Sequence, residues 1–194
     1  MWFVRSPPMK RASDVLLGCL AALILFVPGV LVALAVCLTS KGPALYWSDR
    51  VGRDNKIFKM PKFRSMRLDT PEVATHLLTD AGSYLTPIGS FLRKSSLDEL
   101  PQLWSILAGD MSFVGPRPAL FNQQDLIALR TAQGIHTLEP GLTGWAQVNG
   151  RDDMSISKKV ALDSEYRCRQ SFWLDIKILW LTFLKVVRRD GVSH

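Results

Sequence analysis

From Val15 to Leu38 the chain carries no charged side chain. A continuous helix over that run would reach about 36 Å, enough to cross a hydrocarbon core, so a membrane element is the first constraint on the fold. Pro28-Gly29 interrupts it near its middle. Pro28 cannot donate to the carbonyl of Ile24, and Gly29 weakens the helix further, so a kink or a full reversal is expected there. No Ser or Thr lies at the break to supply the missing donor, although a freed carbonyl needs one where bulk water is absent. Arg5, Lys10 and Arg11 precede the run, and Lys41, Arg50 and Arg53 follow it. Positive charge on both flanks favours keeping both ends cytoplasmic, which requires the segment to turn back. The expectation is therefore a re-entrant, broken helix that enters one leaflet, with a kinked single-pass anchor as the competing course. A signal peptide fits less well, because the run is long for one and Lys41-Gly42-Pro43 does not resemble a small-residue cleavage site.

The remaining length suits one domain of ordinary size, giving a membrane segment over 1–40 and a cytoplasmic or interfacial catalytic domain over 41–194. The formal net charge of +7 favours anionic partners: phosphates, nucleotides or acidic headgroups. Three widely spaced cysteines, two of them inside the apolar run, match neither a disulfide framework nor a C-x-x-C metal site, and Cys168 is expected to be a free cytosolic thiol. Neither a P-loop nor a G-x-G-x-x-G pattern is present, and His76 and His136 are isolated.

The fold class expected is α+β, mainly helical with a small β element. Ala44–Arg50 is β-prone, and the stretch from Lys56 to Arg67 alternates basic and apolar residues like a strand with one wetted face. Pro61 confines that strand to an edge. Asp69–Pro87 reads as a surface loop or short helix, and Asn122–Gln133 as a helix. The glycine-punctuated segment from Pro140 to Arg151 reads as a loop, with a tight turn available at Asn149-Gly150. Ser171–Arg189 is apolar but carries Asp175, Lys177 and Lys185, which favours an interfacial amphipathic helix over a spanning one. Trp173 and Trp180 suit the interface, and Lys185, Arg188 and Arg189 could meet headgroups. Packing of the same face on the soluble core is an equal alternative.

Ser96-Leu97-Asp98-Glu99 can be read as a helix start, Ser96 capping and the two acids occupying the first turn ahead of a Leu100, Leu103, Trp104, Leu107 stripe. The same pair has a chemical use. Splitting a nucleotide diphosphate needs a nucleophile, cations to neutralise phosphate, and often a bridging divalent metal. Asp98 or Glu99 can attack phosphorus while its neighbour holds Mg²⁺, an oxygen-seeking ion. Arg117, between Pro116 and Pro118, is displayed on a stiff loop, where its guanidinium fork suits bidentate phosphate contact or a structural salt bridge. Arg93, Lys59, Lys62, Arg64 and Arg151 are further phosphate or headgroup candidates, and their clustering matters more than any one of them.

Five stretches together resemble the minimal, monotopic phosphoglycosyl transferases of the bacterial sugar transferase family. They are Lys41-Gly42-Pro43, Lys62-Phe63-Arg64-Ser65-Met66, Ser96 to Leu103, Gly109 to Pro118 and Pro140 to Arg151. The likeness runs from Lys10-Arg11-x-x-Asp14 to the basic tail. It implies transfer of a sugar 1-phosphate from a UDP-sugar to undecaprenyl phosphate, with release of UMP and a requirement for Mg²⁺. It implies a ping-pong route in which Asp98 is the nucleophile, Glu99 assists through the metal, and Arg117 binds phosphate. Gln147 and Arg151 join the substrate-binding candidates. The implied place is the cytoplasmic face of the bacterial inner membrane, with both termini cytoplasmic and membrane lipids as partners. Val27-Pro28 stands where the family often has Ser-Pro, Pro61 where an aromatic is common, and Glu139 where a basic residue is common.

Two other classes compete with the enzyme. A membrane-anchored module that recruits lipids or nucleic acid would place few carboxylates near its basic face, and Asp98-Glu99 speaks against it, so no nucleic-acid partner is expected. A scaffold subunit of a glycan-assembly complex would lack the nucleophile. The sugar, the pathway and the oligomeric state are not encoded in any pattern here.

Overall fold

The computed structural model describes residues 8–71, 81–150 and 154–188. The first of these segments begins with the longest element, helix α1, Pro8–Thr39. It contains Pro28 and continues as helix on both sides of it. Along its middle the side chains face outward: Leu20, Leu23, Ile24, Phe26, Val27 and Leu31 are all exposed. Each end also buries a residue. Asp14 and Val36 are buried against the rest of the protein.

Beyond α1 the fold is small and mixed. Strands β1 (Leu45–Val51) and β2 (Ile57–Phe63) form an antiparallel hairpin paired from Leu45↔Phe63 to Val51↔Ile57. Asp54 and Asn55 take positive φ in its connection, a conformation that Asn and Asp tolerate better than most residues. Strand β4 (Ala119–Leu120) adds to the other side of β1, so β2 is an edge strand, where the missing N–H of Pro61 costs no ladder bond. A second, parallel pair joins β3 (Ser112–Val114) to β5 (Gly141–Thr143). The helices are α2 (Gly89–Lys94), α3 (Gln102–Ala108), α4 (Gln124–Ala132), α5 (Trp145–Asn149), α6 (Ile156–Arg169) and α7 (Phe172–Arg188). The mainly helical α+β class expected from the sequence is the class observed.

Four small apolar clusters hold these elements. Val36 of α1 packs with Phe63 and Leu92, joining α1, β2 and α2. Met60, Ile106 and Met111 place α3 under the sheet. Ala119, Leu126, Ile135 and Val160 hold α4 on α6, and Val114, Tyr166, Leu174 and Ile178 seat α6 and α7 on β3. Helix α7 buries Leu174 and Ile178 but leaves Phe172, Trp173, Ile176, Trp180, Phe183 and Val186 exposed, so it is apolar on two faces and covered on one. Its charges have partners inside the protein. Asp175 accepts from Lys10 and Tyr166, and Lys185 donates to the carbonyls of Gln147 and Gly150.

Several local expectations change. Ser96 does not cap a helix: it adopts φ 57° at the end of α2, and Asp98 and Glu99 lie in a separate 3-10 turn, Leu97–Glu99. Pro101 opens α3, whose buried residues are Gln102, Ser105 and Ile106 while Trp104 faces out. The segment from Pro140 to Gly150 is not all loop, because it contains β5 and α5, and Asn149 ends α5 instead of making a hairpin turn. The short loop or helix expected over Asp69–Pro87 lies partly outside the described residues; a 3-10 turn, Ala81–Tyr84, is described within it.

Candidate active site

Asp98 and Glu99 are set in place by the turn between α2 and α3. The left-handed Ser96 reverses the chain, and Leu97 and Leu100 lodge against the Val36, Phe63 and Leu92 cluster. The turn is therefore tied through that cluster to the C-terminal half of α1. The far end of α3 is pinned to the N-terminal half, where Arg11 donates to the carbonyls of Ile106 at 2.6 Å and Leu107 at 2.7 Å. Those carbonyls lie in the last turn of α3, where Ile106 otherwise accepts only from the Gly109 N–H at 3.2 Å, so a guanidinium there also suits the dipole. Nearby, Oδ1 of the buried Asp14 accepts from the backbone N–H of Phe113 at 3.1 Å, fixing the strand that leads to Arg117. Lys10, Arg11 and Asp14 thus anchor three different elements.

Glu99 is clamped between two cations. Its Oε1 accepts from Lys62 Nζ at 3.0 Å and from Arg117 Nη2 at 3.1 Å. Burial would raise its carboxyl, but Lys62 and Arg117 outweigh that and hold it down to about 2. Asp98, beside it, is only 7 % exposed and has no hydrogen-bond or ion-pair partner among the described residues. Burial pushes its carboxyl above the ordinary range, opposed by Lys62, reinforced by the charge of Glu99, and opposed again by Arg93 and Arg117. Two adjacent carboxyls are thus driven apart: one fixed as an anion, the other poorly solvated.

The loop that carries Arg117 is held by its own carbonyls. Gly141 N–H donates to Pro116 at 2.9 Å, Arg130 Nη1 to Arg117 at 2.8 Å, and Arg50 Nη1 to Pro118 at 3.3 Å. Arg130 is in turn fixed by Asp163, whose Oδ2 accepts from Nε at 3.0 Å and Nη2 at 2.6 Å. Gly115 lies so close to the β5 strand that a Cβ would stand 2.3 Å from the carbonyl oxygen of Glu139. Arg50 itself is half-buried near the dyad. Burial, then the neighbouring Arg117, lower its guanidinium to about 10, while Tyr46 and Glu99 act the other way.

Of the residues expected at the site, Asp98, Glu99, Lys62 and Arg117 are brought together, with Arg93 on α2 near enough to favour the ionised form of Asp98. Lys59 is not brought to them, because it sits three residues before Lys62 on the strand, hence on the opposite face, and pairs with Asp49 at 3.1 Å. Arg64 is also elsewhere, donating to the carbonyls of Pro43, Lys41 and Ser40 below the end of α1. Gln147 donates to the carbonyl of Leu142 and ties α5 to β5. Arg151 lies outside the described residues. Arg50, Arg130 and Asp163 were missed by sequence reasoning. The only signal for them was basic and acidic residues in unremarkable surroundings.

A family profile described as bacterial sugar transferase matches residues 5–189. The chain belongs to the bacterial sugar transferase family. It is 40% identical over 184 residues to the UDP-glucose:undecaprenyl-phosphate glucose-1-phosphate transferase of Escherichia coli K12, covering 91% of this chain and 40% of that protein. It is 38% identical over 198 residues to the UDP-galactose-lipid carrier transferase of Erwinia amylovora, covering 94% and 41%. It is 42% identical over 191 residues to the uncharacterized sugar transferase EpsL of Bacillus subtilis, covering 96% and 91%. The chain spans about two fifths of the length of the first two relatives and most of the third. Within the family frame, Glu139, at a position where a basic residue was expected, is answered by Arg53 at 3.5 Å.

A divalent cation fits the dyad by donor chemistry. Among the described residues no three metal-ligating side chains converge, and the adjacent carboxyls at this site are those of Asp98 and Glu99. Mg²⁺ is commonly held in that way, by one or two carboxylates with substrate phosphates and waters completing the shell. Both hydrogen bonds to Glu99 use Oε1, leaving Oε2 available as a ligand.

Proposed function

We propose that the chain moves a sugar 1-phosphate from a UDP-sugar to undecaprenyl phosphate, releasing UMP, through a covalent phospho-sugar on Asp98. The observation that carries this reading is the nearly buried Asp98 carboxyl, without a hydrogen-bond or ion-pair partner among the described residues, beside a Glu99 clamped by Lys62 and Arg117. A carboxylate without hydrogen-bond donors keeps its lone pairs for attack, and cations alongside compensate the phosphate charge. In the first half-reaction an Asp98 oxygen bonds to the phosphorus that bears the sugar. The bond from that phosphorus to the bridging oxygen breaks, and UMP leaves with the bond's electron pair. In the second, an oxygen of undecaprenyl phosphate attacks the same phosphorus and the Asp98 carboxylate is released. Arg117 and Lys62 hold the phosphoryl oxygens, and Arg50 keeps the Arg117 loop in position. Mg²⁺, held through Glu99, would neutralise diphosphate charge and ease departure of UMP.

The site is placed at the cytoplasmic face of the inner membrane by a re-entrant α1. Support comes from its two ends: Arg11 and Asp14 at one, Val32 and Val36 at the other, all contact the same body, while the apolar middle is uncovered. Although α1 runs as one helix through Pro28, ends tied to one body are what a course that turns back to the side it left requires. The open apolar face of α7, with Trp173 and Trp180, lies along the interface in the same reading.

Incubation with a UDP-sugar and Mg²⁺ but no acceptor tests the intermediate. Intact-protein mass spectrometry is expected to find the chain heavier by one sugar phosphate, with the addition absent in Asp98→Asn and removed by undecaprenyl phosphate. An adduct that persists in Asp98→Asn would overturn the assignment.

A further inference from the structure

A cavity of about 270 Å³ opens where α1 meets the sheet, lined by Lys41, Arg64, Arg67, Leu68, Leu85 and neighbouring residues, none of them part of the dyad site. Its charge is unbalanced. Arg64 is 4 % exposed and makes all its hydrogen bonds to carbonyls, so no carboxylate neutralises it among the described residues. A buried cation with only neutral partners favours an anion close by. Lys41 is exposed and has no ion pair among the described residues, and Arg67 chelates Asp69 at 2.8 and 3.0 Å in an exposed pair that holds weakly. Among the described residues, three cations thus face one carboxylate, a surplus of two.

The position narrows the anion. Lys41 follows Leu38, the last strongly exposed apolar residue of α1, by three positions, and Leu68 stands 67 % exposed at the cavity. Gly42, at φ 118°, turns the chain there, and a Cβ on it would come within 3.1 Å of Leu68 and 3.3 Å of Arg64. An apolar wall beside a basic floor at the end of a lipid-exposed helix matches a phosphodiester attached to acyl chains. We infer that this cavity binds the headgroup phosphate of an anionic phospholipid, separate from the acceptor lipid. It fixes the depth of α1 and, through Arg64, the chain end that leads into β1.

The inference rests on α1 being a membrane helix; a chain that stays monodisperse in water without detergent would refute that premise separately. The test uses the full chain reconstituted in phosphatidylcholine nanodiscs containing phosphatidylglycerol, with retained lipid counted by native mass spectrometry. Wild type is expected to retain phosphatidylglycerol, and Lys41→Glu with Arg67→Glu to lose about tenfold or more of it. The control, Lys56→Glu with Lys158→Glu, has the same net charge at two other exposed sites and is expected to retain it. Equal loss in both double variants, or loss in neither, overturns the inference. Displacement by millimolar inorganic phosphate would make this a free-phosphate site, and displacement by equimolar undecaprenyl phosphate an acceptor site; either also overturns it. Lipid retention is read without turnover, so its failure and failure of the transferase reading are distinguishable.

Discussion

As the proposed nucleophile, Asp98 faces two demands that pull against each other. Attack needs the carboxylate, yet burial favours the neutral acid and raises its pKa. Activity is therefore expected to fall on acidification through a value above the ordinary carboxylate range, as the folded enzyme takes up that proton. Arg93 favours the ionised form, so Arg93→Gln is expected to move the acid limb of the kcat/KM profile to higher pH; an unmoved limb would separate Arg93 from the nucleophile. Replacing Arg117 with Ala should slow both half-reactions, on the order of a hundredfold, by removing a donor to phosphoryl oxygen. An unchanged rate would leave Arg117 a structural partner of Glu99. The dyad was legible in the sequence because its members are adjacent and lie in a recognisable motif. The cations were legible only in part. Lys59, Lys62 and Arg64 belong to one basic run, and strand alternation and the exit from β2 send them to three different places. Arg50 reaches the site through pairing with a strand dozens of residues away, which no local pattern announces.

The Pro-Arg-Pro loop shows how an element remote from the chemistry sets its geometry. Asp163 on α6 holds Arg130 on α4, and Arg130 holds the carbonyl of Arg117. Arg130→Met would leave Asp163 buried without its counter-charge, and unfolding experiments are expected to find a loss of about 3–5 kcal/mol. The pH dependence has a definite sign. Burial already raises the Asp163 carboxyl in the folded protein, and without Arg130 it rises further. The folded state then binds more protons than the unfolded chain, so the variant loses stability as pH rises above the unfolded carboxylate range and regains it on acidification. A deficit that is the same at every pH would mean the pair is not the cause. Helix α6 was not read from the sequence, whereas α7 was, because its apolar run stands out by composition. The 3-10 turn at Asp98 was mistaken for a helix start because the cap pattern is local, while the left-handed Ser96 that displaces it is imposed by packing of Leu97 and Leu100.

The molecule as a whole is organised around α1, which touches the sheet, α2, α3 and the strand leading to Arg117. The long apolar helix is thus part of the scaffold that positions the candidate site. Its apolar character was evident from composition, and its course was argued from flanking charge; the contacts at its ends were not foreseeable, because they join residues nearly a hundred positions apart at Arg11 and Asp14 and dozens apart at Val36. Impermeant labels placed before Val15 and after Leu38 are expected to react from the same side of the membrane. Reaction from opposite sides would replace the re-entrant course with a spanning one. The most direct test of the whole account is UMP release by the purified chain given Mg²⁺, undecaprenyl phosphate and a panel of UDP-sugars. At least one UDP-sugar is predicted to yield UMP in step with a lipid-linked sugar diphosphate, and a folded Asp98→Asn variant to yield none. No UMP from any of them, or release undiminished in that variant, would contradict it.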